Sequence, residues 1–154
     1  MISDTTSRVS EKTDDEVNAR IQRQTEDRVS YYASVGSGAI EIRLRELDHE
    51  WDTERALEMN AAGLTLVAVV LGLAYDRKWL LLPGVIAGFL LQHAVQGWCP
   101  PLPLLRRLGF RTAAEINRER YALNALRGDF REVEPATNEQ VPRKATVALQ
   151  AVDR

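Results

Sequence analysis

The sequence predicts an all-α protein: a transmembrane helical hairpin of two spans, with amphipathic cytosolic helices before and after it. Two observations predict it. Between Leu57 and Leu105 the chain holds two apolar runs, Met59 to Tyr75 and Trp79 to Trp98. Each is about the length a helix needs to cross a bilayer's hydrocarbon core. Only Asp76-Arg77-Lys78 separates them, which leaves room for a tight turn. The mean hydropathy of −0.27 would suit a soluble protein, but that average hides an apolar middle third between two charged flanks.

Composition narrows the function classes. The chain of 154 residues suits one domain or one small membrane module. A formal net charge of −2 gives no basic excess for nucleic acid. One cysteine excludes an intramolecular disulfide framework and a zinc site built on several thiolates. Met1 to Glu16 has neither a basic start nor an apolar h-region, so insertion is expected to rely on the hairpin itself. Neither end carries a lipidation motif.

In chain order, residues 1–13 are polar and aperiodic and are expected to be disordered. Residues 14–58 are expected to form amphipathic cytosolic helices. The first runs from Asp14 to about Ala33, with Val17, Ile21 and Tyr32 at roughly helical spacing. Gly36-Ser37-Gly38 interrupts it, with Ser37 able to cap a second helix. Ile40, Leu44, Leu47 and Trp51 then step by four, three and four, the period of a helical seam. Nothing between Ala39 and Tyr75 obviously breaks a helix, so one long helix is expected to enter the membrane. The hairpin occupies 59–98, with spans at 59–75 and 79–98.

The segment 99–128 comes next. Pro100, Pro101 and Pro103 stop the second helix, and Leu104 to Phe110 reads as an interfacial piece. Thr112 and Glu115 form a capping-box signature. A helix through Ile116, Tyr121, Leu123 and Leu126 should stop at Gly128. Residues 129–154, with Pro135 and Pro142, are expected to be a disordered tail.

Arg55 precedes the first run, and Arg106, Arg107 and Arg111 follow the second, against Arg77 and Lys78 in the turn. The basic excess on the terminal side predicts that both termini are cytoplasmic. Glu41 to Glu58 holds seven acids and three arginines, whereas Leu104 to Gly128 holds six arginines and two glutamates. Such segments could attract one another, or each could be an independently solvated face; exposed pairs are worth only tenths of a kcal/mol.

Within the spans, Ala68 and Gly72, and Gly84 and Gly88, show the spacing of small residues that lets helices approach. They could join the two spans or serve dimerisation. Polar residues gather at one end: Arg55, Asn60, Gln92, His93 and Gln96, with Cys99 close by. They could hydrogen-bond across the helix pair. Alternatively, Cys99 could be a reactive thiol whose pKa Arg55 or Arg106 lowers, although a helix C-terminus disfavours a thiolate. Trp51, Trp79 and Trp98 suit an interfacial belt. One Cys and one His are too few for a closed zinc site. No phosphate-binding Gly loop or nucleophile elbow appears, so neither enzyme, metal nor cofactor is expected.

Glu54-Arg55, the brief turn, Gly97-Trp98-Cys99-Pro100 and Leu104-Leu105 together resemble the YgaP-like transmembrane domain, over roughly residues 52 to 109. The resemblance implies a two-helix hairpin of the bacterial inner membrane. Some members of that family are fused to a rhodanese-type sulfurtransferase, but this chain has no room for one; only Arg55, Cys99 and Pro100 carry over. The expected function is a non-enzymatic anchoring or assembly module in the lipid bilayer. Its cytosolic helices would dock a protein partner or a second copy as a homodimer. The alternative is a sulfur-handling or redox membrane protein that uses Cys99 as a persulfide or thiol carrier.

Overall fold

The computed structural model describes residues 7–130. All regular elements there are helical, apart from a single bridge between Asp52 and Arg111. A one-turn helix α1 (Arg8–Glu11) leads into α2 (Asp15–Val35) and α3 (Ser37–His49). The long α4 (Thr53–Ala74) is joined by a 3-10 turn, Arg77–Leu80, to α5 (Leu81–Gln96). The short α6 (Leu102–Arg107) and α7 (Ala113–Arg127) complete the chain. Two compact units divide these residues. The first holds 7–24 and 50–116, and the second 25–49 and 117–130, so α2 and α7 contribute to both.

Local chemistry sets the boundaries. Asp14 accepts from the Glu16 N–H to cap α2, and α2 ends where Gly36 adopts φ +106°. The next helix begins at Ser37, which therefore lies inside its first turn rather than capping it. The single long helix expected from Ala39 to Tyr75 is in fact two. α3 stops at His49, and Asp52 then caps α4 by accepting the Arg55 N–H at 2.7 Å. An aspartate that can satisfy a free first-turn donor outweighs the continuous apolar periodicity. As a result Ile40, Leu44 and Leu47 are buried while Trp51 leaves the seam and is 42% exposed.

Two helices, Thr53–Ala74 and Arg77–Gln96, are long and apolar enough to cross a membrane, and only 22% and 6% of their most apolar windows are buried. Asp76 accepts from the Lys78 N–H in the turn between them. Pro83 sits in the first turn of α5, where no intrahelical donor is lost. α5 stops at Gly97, whose φ of +73° is left-handed, so Trp98 lies beyond the helix.

A small core closes the end where α4 begins and α5 stops. It unites Val9, Ala56, Leu57, Cys99, Leu102 and Leu105, with Leu90, Trp98 and Phe110 against it. The inclusion of Val9 corrects the expectation of disorder over 1–13, because residues 7–13 are folded and Val9 is 3% exposed. One apolar side chain in a polar stretch has no period to reveal it. Residues 1–6 and 131–154, where the rest of the disorder was expected, lie outside the described residues; Asp129 accepts from Arg127 at 2.9 Å.

Beyond that core, Thr53 Oγ1 donates to the Arg111 carbonyl at 3.0 Å and ties the start of α4 to the approach of α7. The expected capping box forms: the Thr112 N–H donates to Glu115 at 2.8 Å and the Glu115 N–H to Thr112 Oγ1 at 3.2 Å. α7 ends at Arg127, before Gly128.

Candidate functional site

The polar residues singled out from the sequence all lie at the core end of the α4–α5 pair, but they do not form one hydrogen-bonded cluster. Asn60 is exposed and donates back to the Ala56 carbonyl on its own helix at 3.2 Å. Arg55 is exposed and stacks over the Trp51 ring, 4.6 Å from its centroid, an exposed cation–π contact worth ~0.5–1 kcal/mol. Gln96 is exposed and Gln92 half-buried. His93 is 6% exposed, and neither of its ring nitrogens has a hydrogen-bond partner among the described residues.

A residue that sequence reasoning missed organises this end. Arg8 donates to the Ala94 carbonyl at 3.1 Å and to Glu54 at 2.8 Å, so it staples α1 across the end of α5 and the start of α4. Its own backbone sits on Gly97, where an added Cβ would meet the Arg8 carbonyl oxygen at 2.6 Å. The glycine is thus required twice, by φ and by this close approach. An Arg in a polar N-terminal stretch offers no signal of that role.

Cys99 is 1% exposed within the apolar core. Burial pushes its thiol pKa up, against a smaller opposing effect from its hydrogen bond with the Leu102 backbone. The arginines expected to activate it are engaged elsewhere: Arg55 over Trp51, and Arg106 in a network of its own. A thiol in this setting stays protonated at neutral pH, contrary to the reactive-thiol expectation.

Arg106 is fully buried and fully partnered. It makes a two-pronged pair with Glu115, both contacts 2.7 Å, and donates to Asn18 at 3.0 Å and Thr13 at 3.2 Å. Burial raises the Glu115 pKa, but hydrogen bonds from Arg106 and from the Thr112 backbone outweigh it and hold the carboxyl below its usual range. Arg111 likewise grips Glu50 through two 2.7 Å contacts. In the second unit, Glu119 is completely buried and accepts from Arg43 Nε at 2.8 Å and Arg28 Nε at 3.2 Å; Arg120 pairs with Asp48.

These pairs refine the expected acid-to-base attraction. Glu50–Arg111 and Asp48–Arg120 join acids of the first segment to arginines of the second. Glu119–Arg43 runs the opposite way, and Arg106–Glu115 lies within the basic segment. Net charge per segment averages over these reversals.

Of the small residues, Ala68 and Gly72 are buried, and a Cβ on Gly72 would meet Leu80 Cδ2 at 2.6 Å. Gly84 and Gly88 face open space. The two patches therefore do not meet each other. No group of three or more His, Cys, Asp or Glu placed to hold a metal occurs among the described residues.

No family model matches the chain, and neither a curated protein nor a solved structure does.

Proposed function

We propose that the chain is a non-enzymatic hairpin of the bacterial inner membrane, with α4 and α5 as its two spans and its flanking helices docking a protein partner or a second copy. The observation that carries this reading is where the apolar side chains of α4 and α5 lie. Leu66, Leu73, Leu81 and Leu91 are each at least 66% exposed. A core helix of a soluble protein would bury such residues, and an apolar surface this large marks a membrane or partner contact. The closed hydrogen bonding of a helix is what hydrocarbon demands of a crossing segment.

A second observation supports placing both flanks on one side. Arg8, Thr13 and Asn18, which precede the two helices in sequence, bond with Ala94 in the last turn of α5 and with Arg106 beyond it. That pairing fits an even number of crossings. The excess of arginine outside the turn favours the cytoplasm for that side. The resemblance of Glu54-Arg55, Gly97-Trp98-Cys99-Pro100 and Leu104-Leu105 to the YgaP-like transmembrane domain is what favours the inner membrane. The open strip at Gly84 and Gly88 is the kind of surface on which spans associate.

Carbonate extraction of native membranes tests the spanning reading: the chain should stay in the pellet, and release into the supernatant overturns it. Crosslinking in the same membranes tests docking, and a strictly monomeric, partnerless chain is the outcome that sinks it. The burial of Cys99 gives a sulfur-carrier role no support, so its alkylation should be much slower than that of an exposed thiol.

A further inference from the structure

A cavity of about 270 Å³ opens beside the core end of the helix pair, lined among others by Leu57, Asn60, Leu64, Phe89, Cys99 and Leu104. Its wall is apolar except for the Asn60 amide and the Cys99 thiol. Leu57 and Leu64 lie seven residues apart on α4, or roughly 10 Å at the helical rise. The cavity thus runs along α4 from beneath α6 toward the middle of the pair. It is continuous with outward-facing apolar side chains, since Leu64 is 55% and Leu104 61% exposed.

No charged residue lines the groove itself, but α6, which contributes Leu104 and Leu105 to its wall, continues into two arginines. Arg107 follows Leu104 by three residues, the spacing of one helix face, and it is exposed. Arg20 reaches the same turn and donates to the Arg107 carbonyl at 2.9 Å. Neither guanidinium ion-pairs with a carboxylate among the described residues, although Glu16 lies one turn before Arg20 on α2. The result is an apolar slot along a candidate span, with two exposed arginines, free of ion pairs among the described residues, just past the α6 residues that line it.

We propose that this groove holds one acyl chain of an anionic phospholipid, with the lipid phosphate at Arg20 and Arg107. The inference rests on the spanning reading above, in which the slot lies along the acyl chains of one leaflet and α6 at its headgroups. An acyl chain matches the lining and the direction of the slot. A phosphate matches the two guanidinia, which bind such oxygens through paired donors. A zwitterionic lipid fills the same slot but leaves less net negative charge for the arginines.

The test uses the full chain purified in detergent and follows its thermal unfolding. Three additives are compared: phosphatidylglycerol, phosphatidylcholine with the same chains, and glycerol phosphate without chains. Phosphatidylglycerol should stabilise at concentrations about tenfold lower than phosphatidylcholine, and glycerol phosphate should do nothing. The double variant Arg20→Gln/Arg107→Gln alters only exposed side chains and should bring phosphatidylglycerol down to the level of phosphatidylcholine. Equal effects of the two lipids on the unaltered chain overturn the proposal. So does a headgroup preference that survives in the double variant, or glycerol phosphate that works as well as the lipid. Carbonate extraction of the same membranes separates the two failures. A chain released into the supernatant overturns the spanning reading and this inference together, whereas a retained chain with no lipid preference overturns this inference alone.

Discussion

The shaft of α4 and α5 and the segments that flank it are built on opposite principles. Along the shaft the close contact is made by small side chains: Gly72 lets Leu80 approach within a distance a Cβ would block, and Ala68 is 1% exposed. The rest of its surface is apolar and open. In the flanks, buried charges decide the arrangement, with Arg106 on Glu115, Arg111 on Glu50, and Glu119 between Arg28 and Arg43. The comparison separates two jobs. An apolar shaft is matched to its surroundings without regard to direction, whereas a buried ion pair accepts one geometry and penalises others.

The largest expected effect falls on the flanks. Arg106→Ala strands Glu115 and removes donors from Thr13 and Asn18, and should cost about 3–5 kcal/mol in detergent unfolding. Glu119→Ala should cost about 2 kcal/mol, less because the Arg28 side chain keeps 32% exposure to water. If both variants unfold like the unaltered chain, the buried pairs do not govern the flanks.

Glycines sharpen the contrast on a smaller scale. Gly97→Ala forces a left-handed residue against the Arg8 backbone and should cost about 1–3 kcal/mol. Gly88→Ala meets open space and a helical backbone, so it should be neutral or gain ~0.5 kcal/mol. Equal effects at the two sites would erase the distinction between the shaft and its stapled end.

The smallest effect is a pH dependence. Glu115 has a folded pKa below its ordinary value of 4.5, so the folded state binds its proton less readily than the unfolded one. Its contribution is complete above that value and is lost as pH falls through the folded pKa. An acid titration of unfolding should show this loss in the unaltered chain and not in Glu115→Gln.

The same contrast explains what could be read from the sequence. The apolar helices were legible because hydrophobic length needs no partner to be recognised. So was the start of α7, since Thr112 and Glu115 find each other within one turn. Asp52 was an equally local signal, overlooked because the pattern around it continued. Arg8 and Arg106 were not legible, because a charged residue names the sign of its partner but not its address. Arg106 finds Asn18 across 88 residues and Thr13 across 93. The burial of Cys99 hinges on α1 as well, through Val9 in the same core.

Those long sequence separations have a consequence for biosynthesis. Thr13 and Asn18 leave the ribosome well before Arg106 is made. At ordinary elongation rates they must wait roughly 5 to 20 seconds, with both apolar helices emerging in between. The clamp therefore closes only after both apolar helices have been made. Until Thr13 and Asn18 are in place, Arg106 has only Glu115, nine residues further on, and the Phe110 carbonyl to receive its donors. The N-terminal partners of the buried arginine are thus made first and engaged late.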